Sequence, residues 1–219
     1  MSSRRVLVVL AVYLLAGCAA KKMDYSTYFA HEPRSILVVP AMNETTAVDA
    51  QAVFMTTVSQ PLAERGFYVF PVYLTEALLR DLGLPEAGLV QQLPPERFFE
   101  HFGADAVLFV TIQDWSNQYQ VLQSASVVTA SFALIDTRTG ALLWQRTQSA
   151  VRTSDSGGGG LIGALVSAAV TYAINEMTEI DYRPLAQQVN WQVLATAGVG
   201  LPVGPYHPNF RMDRELYSP

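Results

Sequence analysis

Side chains able to do covalent or acid–base chemistry are sparse in this chain of 219 residues. The three histidines, His31, His101 and His207, stand far apart, and none has a second histidine or a carboxylate at the spacing of a helical metal pair. His101 beside Glu100 reads as a surface pair. Asp105 and Asp114 flank one apolar run, and Glu176, Glu179 and Asp181 read as a solvated acidic end with no partner set around them. Gly157-Gly158-Gly159-Gly160 could offer backbone amides to a phosphate, but no Lys-Ser or Lys-Thr follows and the spaced glycines of a dinucleotide site are missing. That run, with its serines, reads as a flexible linker over 154–160. The single thiol, Cys18, can form neither an internal disulfide nor a thiolate metal cluster. No catalytic, cofactor-binding or metal-binding set emerges, so the reading is of a protein that is not an enzyme.

The position of Cys18 carries chemistry of another kind. Met1 to Arg5 bears two positive charges, and Val6 to Ala16 is an unbroken apolar run of eleven residues. At about 1.5 Å per residue that run spans roughly half of a bilayer core, which is too short for a transmembrane helix and suits a secretory signal peptide, here 1–17. Leu15-Ala16-Gly17-Cys18 ends it and looks like the lipobox of bacterial lipoproteins, whose cysteine is lipidated on sulfur, becomes the new N-terminus and is acylated on nitrogen. That resemblance implies lipid attachment at Cys18 (palmitate among the acyl chains), and two or more acyl chains would hold the protein stably on a membrane where one would not. The residue after the cysteine is Ala19 rather than the aspartate that favours inner-membrane retention in such lipoproteins, so the expected location is the outer membrane, facing the periplasm. Loss of Arg4 and Arg5 takes the net charge from -5 to -7. With 14 basic against 19 acidic residues, a nucleic-acid partner is excluded.

Half of the residues are apolar and 15% are charged, enough for one ordinary core. Residues 18–34 lack a period and read as a lipidated tether. Ile36-Leu37-Val38-Val39 suits a strand buried on both faces. Asp49 to about Arg65 reads as a helix that Pro61 should kink or end early. Phe67 to Val72 reads as a strand, Thr75 to Leu82 as a short helix, 83–94 as a loop, and Pro94-Pro95 opens a helix with Phe98, Phe99 and Phe102 that Gly103 closes. Val107 to Trp115 and Val127 to Asp136 read as strands, the second with Val128, Ala130, Phe132 and Leu134 on one face. Asp136-Thr137-Arg138-Thr139-Gly140 is turn chemistry leading into a strand from Leu142 to Val151, with Trp144 expected in the core against a helix. A last helix is expected from Leu161 towards Met177, and 198–219 as an irregular tail. An alternating first half followed by a meander predicts an α/β fold: one mixed sheet of about five strands with helices packed on it, a single domain over 35–197.

One segment is unusual in composition. Gly159, Gly163 and Ser167 recur every fourth residue, and so do Gly160, Ala164 and Ala168. On a helix these rows lie along one side and let a second backbone come close. Leu161, Ile162, Leu165, Val166 and Val170 cover much of the rest, more apolar surface than one sheet face covers. The expectation is a self-association surface, most simply a two-fold dimer.

Ala106-Val107-Leu108-Phe109-Val110-Thr111, Tyr119-Gln120-Val121-Leu122-Gln123-Ser124, Leu134-Ile135-Asp136-Thr137-Arg138-Thr139-Gly140 with Leu143-Trp144, and Gly160 to Ala168 resemble a family of bacterial lipoproteins. That family is a domain of unknown function typified by a neisserial genome-derived antigen. The resemblance covers most of the chain beyond Cys18, is densest over 106–175, and extends to Gly204-Pro205-Tyr206-His207. It implies a fold akin to the periplasmic domain of the curli secretion channel lipoprotein and the N-terminal domain of the translocation protein TolB, and it assigns no catalytic residues. The expected role is a non-enzymatic outer-membrane lipoprotein, an accessory or assembly component of an envelope or secretion complex that binds other envelope lipoproteins or secretion components. The alternative is a pore-forming secretion-channel subunit of the curli-channel kind, for whose additional long hairpins the sequence shows no candidate.

Overall fold

The computed structural model describes residues 23–120, 123–153 and 181–217. Its organising element is β1 (Ser35–Val38), a short apolar strand flanked on both sides by parallel neighbours, β3 (Tyr68–Val69) and β4 (Ala106–Gln120). Side chains alternate along a strand, so Ile36 and Val38 enter one layer of core and Leu37 and Val39 the other, and none is exposed. Pro40 has no N–H to donate and interrupts the ladder. The chain resumes pairing with β4 at β2 (Met42–Asn43), opposite Thr111 and Ile112.

From β1 the chain passes through α2 (Ala50–Met55) and α3 (Ser59–Glu64) to β3, on one side of β1. From β3 it returns through α4 (Val72–Asp81), α5 (Ala87–Val90) and α6 (Pro95–Phe102) to β4, on the other side. The step reverses direction along the sheet, so crossovers of one hand place the two helix groups on opposite faces. Phe54, Val58 and Leu62 accordingly pack with Ile36 and Val38, whereas Leu79, Val90 and Phe98 pack with Leu37 and Val39.

The single helix expected from Asp49 to Arg65 is two. Pro61 cannot donate to the Thr57 carbonyl and its ring would strike it, so the helix stops after Met55 and restarts at Ser59 with Pro61 in the new first turn. The Thr56 and Thr57 hydroxyls donate to the Val53 and Phe54 carbonyls at the break. The strand expected over Phe67–Val72 shrinks to two residues, because Pro71 starts α4 three residues earlier than expected. Gly103, at φ 68°, closes α6 as expected.

The second half is an antiparallel meander of β4, β5 (Gln123–Asp136) and β6 (Leu142–Thr153), completing a six-stranded mixed sheet in the order β3-β1-β4-β5-β6 with β2 beside β4. β4 and β5 run well past the expected ends, because the Ser-, Asn- and Gln-rich residues 116–120 pair with 123–127, Ser116 opposite Val127 and Gln118 opposite Ala125. The β5–β6 turn is built as expected: Gly140 at φ 70° returns its N–H to the Asp136 carbonyl at 3.0 Å.

Three packed segments were not foreseen. α7 (Arg183–Ala195) buries Leu185, Ala186, Val189, Asn190, Val193 and Leu194 against β5, β6 and the α2–α3 break, where the Asn190 amide donates to Thr57 Oγ1 at 2.9 Å. Within the expected tether, α1 (Ser26–His31) is a helix with Tyr25 and Tyr28 each 3% exposed. The Tyr25 hydroxyl lies 2.6 Å from the Val199 carbonyl and 2.8 Å from that of Gly200. Residues 198–217 are mostly turns, as expected of an irregular tail, yet they close the core: Leu201 is fully buried and Tyr217, in a 3-10 helix (Arg214–Tyr217), is 1% exposed. Arg65 holds this closure, donating to Leu201 O and to the Tyr217 hydroxyl. Gly204 and Tyr206 donate to the carbonyls of Arg65 and Gly66, an approach so close that a side chain at Gly204 would meet Gly66. Described residues 23–34 and 198–217 thus belong to the same core as the described part of 35–197. The helix expected from Leu161 to Met177 lies outside the described residues.

Candidate functional site

The two faces of the meander differ. On one, α7 covers Val128, Ala130, Phe132, Leu134 and Trp144, all nearly or wholly buried. Trp144 is fully enclosed, its ring centroid 6.4 Å from that of Phe132. On the other, α4, α5 and α6 cover β4 and the turn end of β5, where Ile135 packs with Phe98 and Arg138 lies over Phe99, leaving Thr129, Ser131 and Ala133 of β5 half-buried and Gln145, Thr147 and Ser149 of β6 exposed. The alternation of β5 and β6 prescribes this, with small and polar residues at every second position. Thr129 donates to Ser149 Oγ across the strands at 2.9 Å. Where the covered and open parts meet lies a shallow concavity of about 560 Å³ lined by Gln91, Phe109, Thr111, Ser131, Gln145 and Thr147, among others. Gln91 reaches from the α5 end to the Val110 carbonyl at 2.9 Å and forms its wall. This surface has flat strands of small and polar side chains with the half-buried Phe109 at its margin.

The acid–base residues gather around the β5–β6 turn, beyond the end of this open face. Asp136 Oδ1 accepts from the Arg138 and Thr139 amides and from the Thr139 hydroxyl, and its Oδ2 lies 3.0 Å from His31 Nδ1. Asp105 Oδ2 accepts from the amides of Arg34 and Ser35 and from the Ser35 hydroxyl, and its Oδ1 takes Arg138 at 2.9 Å. Burial alone would push both carboxyls up, but these donors outweigh it and hold each below the ordinary carboxylate range. The Thr137 hydroxyl donates to Ala104 O. Each carboxylate is committed to fastening chain segments together, and His31–Asp136 fastens α1 to the turn. Glu32 does the same for the C-terminal segment: Arg211 and Arg214 both hold it, at 2.5 and 3.0 Å.

Of the residues singled out in the sequence, Cys18 lies outside the described residues, as do Gly159, Gly160, Gly163, Ala164, Ser167 and Ala168. Exposed Glu100 bonds Arg97 at 2.8 Å rather than its neighbour His101. Asp181 accepts from the Arg183 amide at the start of α7. His207 accepts from the Asn209 amide within its own turn. The His31–Asp136 pairing spans 105 residues and has no local signal in the sequence. Among the described residues no helix is long and apolar enough to cross a membrane, and no cluster of three His, Cys, Asp or Glu side chains could hold a metal ion.

Residues 23–206 match the model of the family described as "Putative lipoprotein GNA1162-like". The chain belongs to that family. It is 35% identical over 207 residues to "Putative lipoprotein NMB1124/NMB1162" of Neisseria meningitidis serogroup B, covering 93% of this chain and 92% of the relative. The crystal structure of lipoprotein GNA1162 from Neisseria meningitidis, 37% identical, aligns with a TM-score of 0.54 over 65% of this chain and 99% of that one. The mixed sheet with helices packed on it is therefore the fold of this lipoprotein family. A dodecameric PelC from Paraburkholderia phytofirmans is more distant, 19% identical with a TM-score of 0.42, covering 78% of this chain and 92% of its own.

Proposed function

We propose that this lipoprotein is anchored by lipid on Cys18 at the periplasmic face of the outer membrane and acts by binding protein, as an accessory or assembly component of an envelope or secretion complex. The observation that carries the reading is the open face of β5 and β6. It is a broad sheet surface of mainly small and polar side chains presented on a rigid scaffold, while the polar and charged groups around the β5–β6 turn are consumed in holding the fold. The lipobox and the membership of a lipoprotein family support the anchor, and Ala19 supports the outer membrane. A channel subunit of the curli kind is the less favoured reading. A strand that faces lipid alternates apolar outward residues, whereas Ser116, Thr129, Ser131, Gln145, Thr147 and Ser149 line most of the uncovered side of this meander, with Val127 and Val151 beside them towards its outer end. Self-association through Gly159, Gly163 and Ser167 with Gly160, Ala164 and Ala168 stands beside this as a proposal from composition.

The test is photo-crosslinking in living cells from Gln145 and Thr147, with Tyr73, exposed on the other half of the molecule, as control. A discrete adduct that forms from both β6 positions and not from Tyr73, and whose mass identifies one envelope protein, is the expected result. Equal, diffuse labelling from all three positions would contradict the assignment of this face.

A further inference from the structure

The packing of the N-terminal residues restricts where the molecule can sit. If 18–34 were a free tether, seventeen residues would let the body wander some 60 Å from the bilayer. The body instead begins at Tyr25, whose ring packs on Tyr217 at 4.8 Å and whose hydroxyl is bound between Val199 and Gly200. Only seven residues then separate an anchor on Cys18 from fixed structure, a reach of at most about 25 Å. Whatever surrounds α1 must lie close to the lipid.

What surrounds α1 is the C-terminal segment. Arg214 stacks on Phe29 at 4.7 Å, and Arg211 and Arg214 converge on Glu32. Interleaved with these arginines are two large apolar side chains turned to solvent, Met212 at 75% and Leu216 at 54% exposure. Two arginines that share the one carboxylate of Glu32, with exposed Glu215 offsetting the remaining charge, beside exposed apolar side chains suit the headgroup layer, where an apolar tip sinks and a guanidinium stays at the polar boundary.

We propose that the surface formed by Met212 and Leu216, framed by Arg211 and Arg214, is a bilayer-docking face that seats this end of the molecule in the headgroup layer. The proposal rests on the Cys18 anchor. Its consequence is a fixed orientation: α1 and the β5–β6 turn lie against the membrane, and the open face starts at Ala133 and Gln145, about 10 Å from that turn, and continues along the strands away from the lipid.

The experiment uses the full lipoprotein in vesicles of phosphatidylethanolamine and phosphatidylglycerol, 3:1, at about one protein per vesicle. Thioether-linked Cys18 takes no label, so Met212→Cys, Leu216→Cys and, as control, Val48→Cys each offer a single site for a nitroxide. Val48 is 95% exposed on the loop before α2, remote from α1. The expected result is at least fivefold less collision with an aqueous nickel chelate at 212 and 216 than at 48, with more collision with lipid-dissolved oxygen. Labels at 212 and 216 as open to water as the one at 48, on protein that floats with the vesicles, would overturn the docking face while leaving the anchor intact. Failure of the unlabelled protein to float would overturn the anchor instead. Protection that appears only at high protein-to-lipid ratio would mean that a second copy covers this surface, and would also overturn the proposal.

Discussion

Replacing Tyr25 separates a packed N-terminal segment from a tether. The ring is 3% exposed and touches Tyr28, Phe29 and Tyr217. Its hydroxyl has one proton to share between the Val199 and Gly200 carbonyls, so it counts as about one buried hydrogen bond, worth about 1 kcal/mol. Tyr25→Phe keeps the ring and should lose about that much. Tyr25→Ala removes the ring from an interior that α1, only six residues long, cannot easily close, and should cost about 3–5 kcal/mol. For a chain of this size each kcal/mol lowers the melting temperature by about 2–4 °C, so the alanine variant should melt roughly 6–20 °C lower and the phenylalanine variant about 2–4 °C lower. Differential scanning calorimetry on detergent-solubilised protein reads both. Alanine and wild-type proteins melting together would show that residues 23–34 do not belong to the core, and would remove the short leash with them.

Trp144→Ala empties the most enclosed large site under α7 and should cost about 3–5 kcal/mol by chemical denaturation; an unchanged midpoint would put Trp144 outside the core. Alkali should weaken the fold through its tyrosines. Burial pushes Tyr25 up to about 12 and raises Tyr28 and Tyr217 as well, so their stabilisation is complete below pH 10, where the unfolded phenols begin to ionise, and is lost as pH rises towards 12. Asp105 and Asp136, both held low, act in the opposite direction: their stabilisation is complete above about pH 4 and is lost as pH falls through their folded values, so stability measured against pH should drop at both ends. Gly163→Leu should shift solubilised protein from dimer to monomer in sedimentation while leaving the circular dichroism spectrum unchanged; a dimer that persists would move the interface elsewhere.

The parts of the fold legible in the sequence are those whose signal is local. Ile36 to Val39 is apolar at every position because both faces of β1 are covered, and β5 alternates because one of its faces is open. Turn chemistry at Asp136–Gly140 and the Pro95–Gly103 bracket around α6 need no partner to be recognised. α1 is invisible by the same logic: six residues without a side-chain cap cannot hold a helix alone, and it exists because Tyr25 and Phe29 find Tyr217 almost two hundred residues away. The outer ends of β4 and β5 were missed because Ser, Asn and Gln do not favour strands by themselves and pair here by continuing an established ladder. α7 did carry a readable signal, with Leu185, Ala186, Val189, Asn190, Val193 and Leu194 in pairs every fourth residue behind Pro184, but the buried asparagine broke its apolar stripe. The open face was legible as polar alternation on β5 and β6. That it stays open follows from how far α4, α5 and α6 reach, which is a tertiary fact.

The mass of the N-terminal peptide tests the central claim most directly. Protein extracted from outer membranes of cells expressing the full chain is digested, and the first peptide is sequenced by tandem mass spectrometry. The account predicts a chain that begins at Cys18, with a diacylglyceryl thioether on its sulfur and an acyl amide on its nitrogen, and a Cys18→Ser protein missing from that fraction. A first peptide that begins elsewhere, or a Cys18 that carries a free thiol, would contradict it.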